Sequence, residues 1–69
     1  MTMMEALLYR LKFMNYAANR EGERTFQTEL DALTFVRGQG LKFVPISLTH
    51  PNGIVVTGKQ IVELVQRMR

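Results

Sequence analysis

A chain with no cysteine and a single histidine, His50, has neither a disulfide nor a zinc cluster to hold it together, so its fold must come from packing alone. At 69 residues that is a severe condition. Ordering a chain of this size costs on the order of 100 kcal/mol, at roughly 1.5 kcal/mol per residue, and one small core barely offsets it. The length allows a single domain, residues 1–69, because the apolar residues cannot be divided between two cores. Apolar residues make up 46% and charged residues 22% of the sequence, which is globular usage and argues against disorder throughout. Self-association is the remaining common source of stability. No apolar run is long enough to span a bilayer, and the Met-rich start lacks the continuous apolar stretch of a signal peptide, so a cytoplasmic protein is expected.

The last segment carries the clearest local signal. Thr57 precedes Gln60 by three residues, the spacing of a capping box, which predicts a helix from about residue 58. Ile61, Val62, Leu64, Val65 and Met68 then recur along one helical face. Upstream, Leu41 to Thr49 is rich in strand formers, and its alternation predicts Val44, Ile46 and Leu48 on one face. Pro45 cannot donate to a ladder, which places it on an edge strand or at a bulge. His50, Pro51, Asn52 and Gly53 supply turn residues, so a hairpin is expected, returning along Ile54 to Thr57 with both faces buried. Before it, Thr28 and Asp31 cap a helix from roughly 29 to 37, with Gly38 and Gly40 offering a left-handed stop.

The opening segment reads two ways. As a helix capped by Thr2 and Glu5, it would present Met4, Leu7, Leu8, Leu11, Met14 and Ala18 on one side. That arrangement leaves Tyr9, Phe13 and Tyr16 together on a water-facing side. As a strand, Tyr9, Leu11 and Phe13 share one buried face. The strand reading is preferred and gives a small α+β domain, a sheet of about three antiparallel strands packed with two helices in the order β-α-β-β-α. Helix first gives α-β-β-α. Asn19 to Gly22 read as a loop, and Glu23 to Phe26 as a possible short strand.

Charge is uneven along the chain. The net charge is +3; residues 1–31 carry −1 and residues 32–69 carry +4, through Arg37, Lys42, Lys59, Arg67 and Arg69 against Glu63. Those five bases are candidates for phosphate contacts, although scattered solvated charge is their plainer role. Of the aromatic residues, Phe13, Phe26, Phe35 and Phe43 are expected in the core. Tyr9 and Tyr16 are candidate contact residues for a partner.

Catalytic chemistry lacks its parts. His50 is the one side chain whose ordinary pKa lies near neutrality, and its neighbours predict a solvated turn residue. There is no thiol, no second histidine and no nucleophile-elbow serine, so nucleophilic and metal-dependent catalysis, a metal site and a cofactor are not expected. Gly53 to Gln60 falls one residue short of a phosphate-binding loop, and its four intervening positions look like strand. The stretch His50, Pro51, Asn52, Gly53 in a hairpin followed by a helix resembles the end of the small HicA-type toxins, mRNA interferases on a double-stranded-RNA-binding-like fold. The resemblance covers roughly a quarter of the chain. Where that family's catalytic Gly-Ser-His step would fall, this sequence reads Gly40, Leu41, Lys42, so the resemblance implies at most an RNA-binding remnant without the active residue.

The sequence therefore predicts a binding module that is not an enzyme. The expected function is a protein-interaction or inhibitor and regulator protein of phage or mobile-element type. It is expected to self-associate as a homo-oligomer through its C-terminal helix or an open strand edge, with no membrane and no small-molecule cofactor as partner. The competing expectation is a small basic nucleic-acid-binding protein using Arg37, Lys42, Lys59, Arg67 and Arg69.

Overall fold

The computed structural model describes residues 8–40 and 42–68. The elements run β1 (Tyr9–Asn15), β2 (Arg20–Phe26), α1 (Glu29–Arg37), β3 (Phe43–Thr49), β4 (Val55–Thr57) and α2 (Gly58–Gln66). The strands form one antiparallel sheet in the order β2-β1-β3-β4. This is a small α+β fold, with four strands where about three were expected.

The additional strand is β2, which pairs with β1 over its whole length, from Asn15↔Arg20 to Tyr9↔Phe26. Only residues 16–19 form the turn. Asn15 shapes it, its Oδ1 accepting from the N–H groups of Ala17 at 3.0 Å and Ala18 at 3.2 Å. Asn19 takes the left-handed conformation, φ 55°, that Asn tolerates well. Gly22 would ordinarily weaken a strand, but the Phe13 ring covers it, so closely that a Cβ there would lie 2.6 Å from ring carbons.

The strand reading of the opening segment holds for Tyr9–Asn15. The helical alternative fails over those residues, and the rest of it, with Thr2, Met4, Glu5 and Leu7, lies outside the described residues. Leu11 is fully buried, and Tyr9 and Phe13 pack against the core on the same side.

In β3 the expected face is wrong beyond Leu48. Lys12 pairs with Ser47 while the next residue, Phe13, pairs with Pro45, so Ile46 is the extra residue of a β-bulge. Alternation restarts there. Phe43, Pro45 and Leu48 turn inward, whereas Val44 and Ile46 stay 43% and 39% exposed. Pro45 thus sits beside a bulge in an interior strand rather than on an edge. The returning strand β4 is not buried on both faces either: Val56 is half-buried, but Val55 is 56% exposed.

Both helices lie on one face of the sheet. Their caps are those the sequence predicts: Thr28 Oγ1 accepts from the Asp31 N–H at 3.0 Å, and Thr57 and Gln60 form the reciprocal box. The expected left-handed stop after α1 is not used, since Gly38 has φ −81° in the right-handed region. Thr57 ends β4 and caps α2 at once, leaving no loop between them. Leu11, Ala32, Leu33, Leu48 and Ile61 form the buried centre. Beside it Phe13 stacks on Phe43 with centroids 4.6 Å apart, and Phe35 packs against Phe43 at 5.5 Å and Phe26 at 5.4 Å. These rings belong to the core as expected. No helix among the described residues is long and apolar enough to cross a membrane.

Candidate functional site

With α1 and α2 on the same side, no described element covers the other face of the sheet. Its two halves differ. On the β1 and β2 half, alternation brings out polar side chains, and Arg10 pairs with Glu23 at 2.9 Å. On the β3 and β4 half it brings out Val44, Ile46 and Val55 among the smaller polar residues Ser47, Thr49 and Thr57, and Ile54 is 58% exposed just ahead of β4. The bulge is responsible for two of these.

The two sheet edges differ in the same sense. Along β2 the sequence is Arg20, Glu21, Gly22, Glu23, Arg24, Thr25 and Phe26, with four charges that deter pairing with another strand. The other edge, β4, is Val55, Val56 and Thr57, without a charge. The His50 N–H bonds the Ile54 carbonyl at 2.8 Å, and counting on from that bond makes Leu48 and Val56 the pair that exchanges hydrogen bonds. The Val55 N–H and C=O therefore face outward. Thr57 offers no such donor, because its N–H is held by Gln60 Oε1 at 3.0 Å. Behind this edge Val56, Gln60, Glu63, Leu64 and Arg67 line a shallow groove of about 260 Å³.

The residues singled out in the sequence fall in three places. Tyr16, 58% exposed in the β1–β2 turn, donates its N–H to the Lys42 carbonyl at 2.7 Å, which joins that turn to the start of β3. Arg37 ends α1 at the same end of the sheet, where Phe35 packs on Phe43. Lys59 follows Gly58, which lies against the Pro45 carbonyl. The structure thus gathers Tyr16, Arg37 and Lys42, with Lys59 at the margin, and adds Arg20, paired with Asn15 across the strand ends. The sequence reading missed Arg20 because it placed Asn19 to Gly22 in a loop; Asn15 followed four residues later by Asn19 was the available sign of a tighter turn. Arg67 lies elsewhere, at the C-terminal cap of α2, and Tyr9 is half-buried at the opposite end of β1. Arg69 lies outside the described residues.

His50 is not the solvated turn residue expected. Its side chain is only 20% exposed, with Nε2 3.3 Å from Glu29 Oε2 and the ring 4.9 Å from that of Tyr9 in an edge-on arrangement. Sequence could not foresee this, because Glu29 opens α1 and meets His50 only through the tertiary fold. The Nε2 atom is buried and too poorly aligned with Glu29 for a hydrogen bond. Among the described residues no hydroxyl is hydrogen-bonded to this ring. Its visible role is to tie the β3–β4 hairpin to α1. Likewise, the near-match to a phosphate loop is strand β4 running directly into α2, with no loop to wrap a phosphate.

No family model, no curated protein and no solved structure matches the chain. The likeness of the His50 to Gly53 turn to the HicA-type toxins rests on those residues alone.

Proposed function

We propose that this protein is a non-enzymatic protein-binding module, a regulator or inhibitor by class, that self-associates through the apolar half of its bare sheet face and the adjoining β4 edge. The observation that carries the reading is the contrast between the two edges. The seven-residue β2 edge carries four charges, whereas β4, limited to three residues, carries none and presents Val55.

The energetics favour a weak, reversible pair. The exposed parts of Val44, Ile46, Ile54 and Val55 amount to about two whole side chains per copy. Covering them gives roughly 3–6 kcal/mol per copy at about 1.5–3 kcal/mol per side chain, against an association cost of about 4–15 kcal/mol. Face-to-face packing covers these side chains and seats the uncharged β4 edge, with the outward N–H and C=O of Val55, at the rim of the interface.

Sedimentation equilibrium at tens of micromolar tests the proposal. A dimer is expected for the natural sequence, and a monomer for Val55→Lys and Ile46→Lys, both at exposed positions that the monomer fold tolerates. A strictly monomeric natural protein at that concentration sinks it.

A further inference from the structure

From the charge layout of the fold we infer a second, separate surface that binds the backbone of single-stranded nucleic acid, formed by Arg20, Arg37, Lys42 and the exposed Tyr16, with Lys59 at its margin. It lies at the end of the sheet where β3 begins and does not depend on the self-association surface.

Three observations carry it. First, three stretches of the chain meet there: the β1–β2 hairpin with Arg20, the end of α1 running into β3 with Arg37 and Lys42, and the first turn of α2 with Lys59. Second, among the described residues none of these bases makes an ion pair; Lys12, Arg24 and Arg67 are also unpaired, but they do not lie at this end beside an exposed aromatic ring. The nearest acid in sequence, Glu21, alternates onto the bare face, while Arg20 shares the helix face with Arg24. Glu63 stands one turn beyond Lys59 and is not paired with it. The acids of α1, Glu29 and Asp31, lie in its first turn, at its far end from Arg37. Third, Tyr16 is 58% exposed in the turn whose N–H bonds the Lys42 carbonyl, although every phenylalanine of the chain packs against the core.

Cations spaced around an exposed ring suit a flexible strand, whose phosphates reach the bases while one nucleobase stacks on the tyrosine. A duplex keeps its bases inside and would leave the ring idle. An acidic peptide has charge but no base to stack.

Fluorescence anisotropy with labelled twelve-nucleotide oligo-dT and oligo-U, and with a duplex of equal length, tests the inference. With three or four phosphates neutralised, raising salt from about 50 to 200 mM should weaken single-strand binding by about 20- to 50-fold. Arg37→Glu and Lys42→Glu should each weaken it by about tenfold or more. Tyr16→Ala should weaken it at least fivefold while leaving the salt slope unchanged, the mark of lost stacking rather than lost charge. Arg10→Glu makes the same charge change five residues up the strand from Asn15, roughly 17 Å away and beyond the Debye length, and should leave binding within a few-fold. Oligo-dT and oligo-U binding alike supports a backbone site, and a preference for either supports it with sugar contacts added. Absence of binding at 50 mM salt, tighter binding of the duplex, or equal displacement by polyglutamate overturns it. Circular dichroism of each variant confirms that the fold is retained.

Discussion

Replacing Gly58 with alanine should destabilise this protein, although helix propensity alone predicts the reverse. Alanine in place of glycine ordinarily favours a helix by about 0.8–1 kcal/mol. At Gly58, however, a Cβ would lie 2.3 Å from the Pro45 carbonyl oxygen and 3.2 Å from that of Ile46. The first contact is about 1 Å inside ordinary van der Waals distance. Neither oxygen can swing aside, because both belong to the backbone of the β3 bulge. The start of α2 must therefore back away from the sheet and loosen Ile61, which is fully buried between them. Overpacking of this kind costs about 1–3 kcal/mol, and two fixed backbone oxygens place it in the upper part of that range, about 2–3, so the net loss is about 1–2 kcal/mol once a propensity gain of at most about 1 kcal/mol is subtracted.

Gly38→Ala supplies the contrast. Gly38 has φ −81°, and a Cβ there meets nothing closer than 3.7 Å, so alanine should stabilise by about 0.4–1 kcal/mol through the unfolded chain. Urea unfolding, followed by circular dichroism at matched protein concentrations, separates the two. With a slope of about 1 kcal/mol per molar, the midpoint should fall by roughly 1–2 M for Gly58→Ala and rise by up to about 1 M for Gly38→Ala. A Gly58→Ala midpoint at or above that of the natural sequence, with the slope unchanged, would refute the reasoning.

Thr57→Ala removes the side chain that caps α2 at the end of β4, and should cost about 1 kcal/mol, read as a fall of roughly 4–8 °C in a thermal melt. The edge-on contact of His50 with Tyr9 should appear as a coupling of about 0.5–1.5 kcal/mol in a double-mutant cycle of His50→Ala and Tyr9→Ala; strict additivity would show that the rings act independently.

The parts of the fold legible in the sequence were those written in short spacings. The Thr57 and Gln60 box, the Thr28 cap and the alternation of Tyr9, Leu11 and Phe13 each involve residues within a few positions of one another. What escaped depends on partners distant in the chain. Nothing near Gly22 says that a phenylalanine will cover it from the neighbouring strand. Nothing near Ile46 says that β3 will slip by one residue to bring Phe43 to the ring cluster. The basic residues were visible individually, but their grouping was not, because it requires the strand end at Arg20 to meet the end of α1. His50 and Glu29 are the same kind of case.

The bulge also decides how the exposed apolar residues should be weighed. Were β3 regular, Leu48 inside would carry Ile46 and Val44 inside with it, and Phe43 would turn to the bare face. The slip exchanges two β-branched residues for a phenylalanine that stacks on Phe13 and meets Phe35, contacts worth about 0.5–1.5 kcal/mol each beyond burial. Exposure of Val44 and Ile46 thus follows partly from packing the other side of the sheet. Exposure of Val55 does not: it pairs with Thr49 beyond the bulge, its side chain touches none of the ring cluster, and a polar residue would serve a monomer equally well. Val55→Lys therefore separates the two causes. It should leave monomer stability within about 0.5 kcal/mol, as surface substitutions do, while abolishing the dimer. Loss of stability without any change in association would mean that Val55 serves the fold, and the contrast between the sheet edges would no longer argue for a partner.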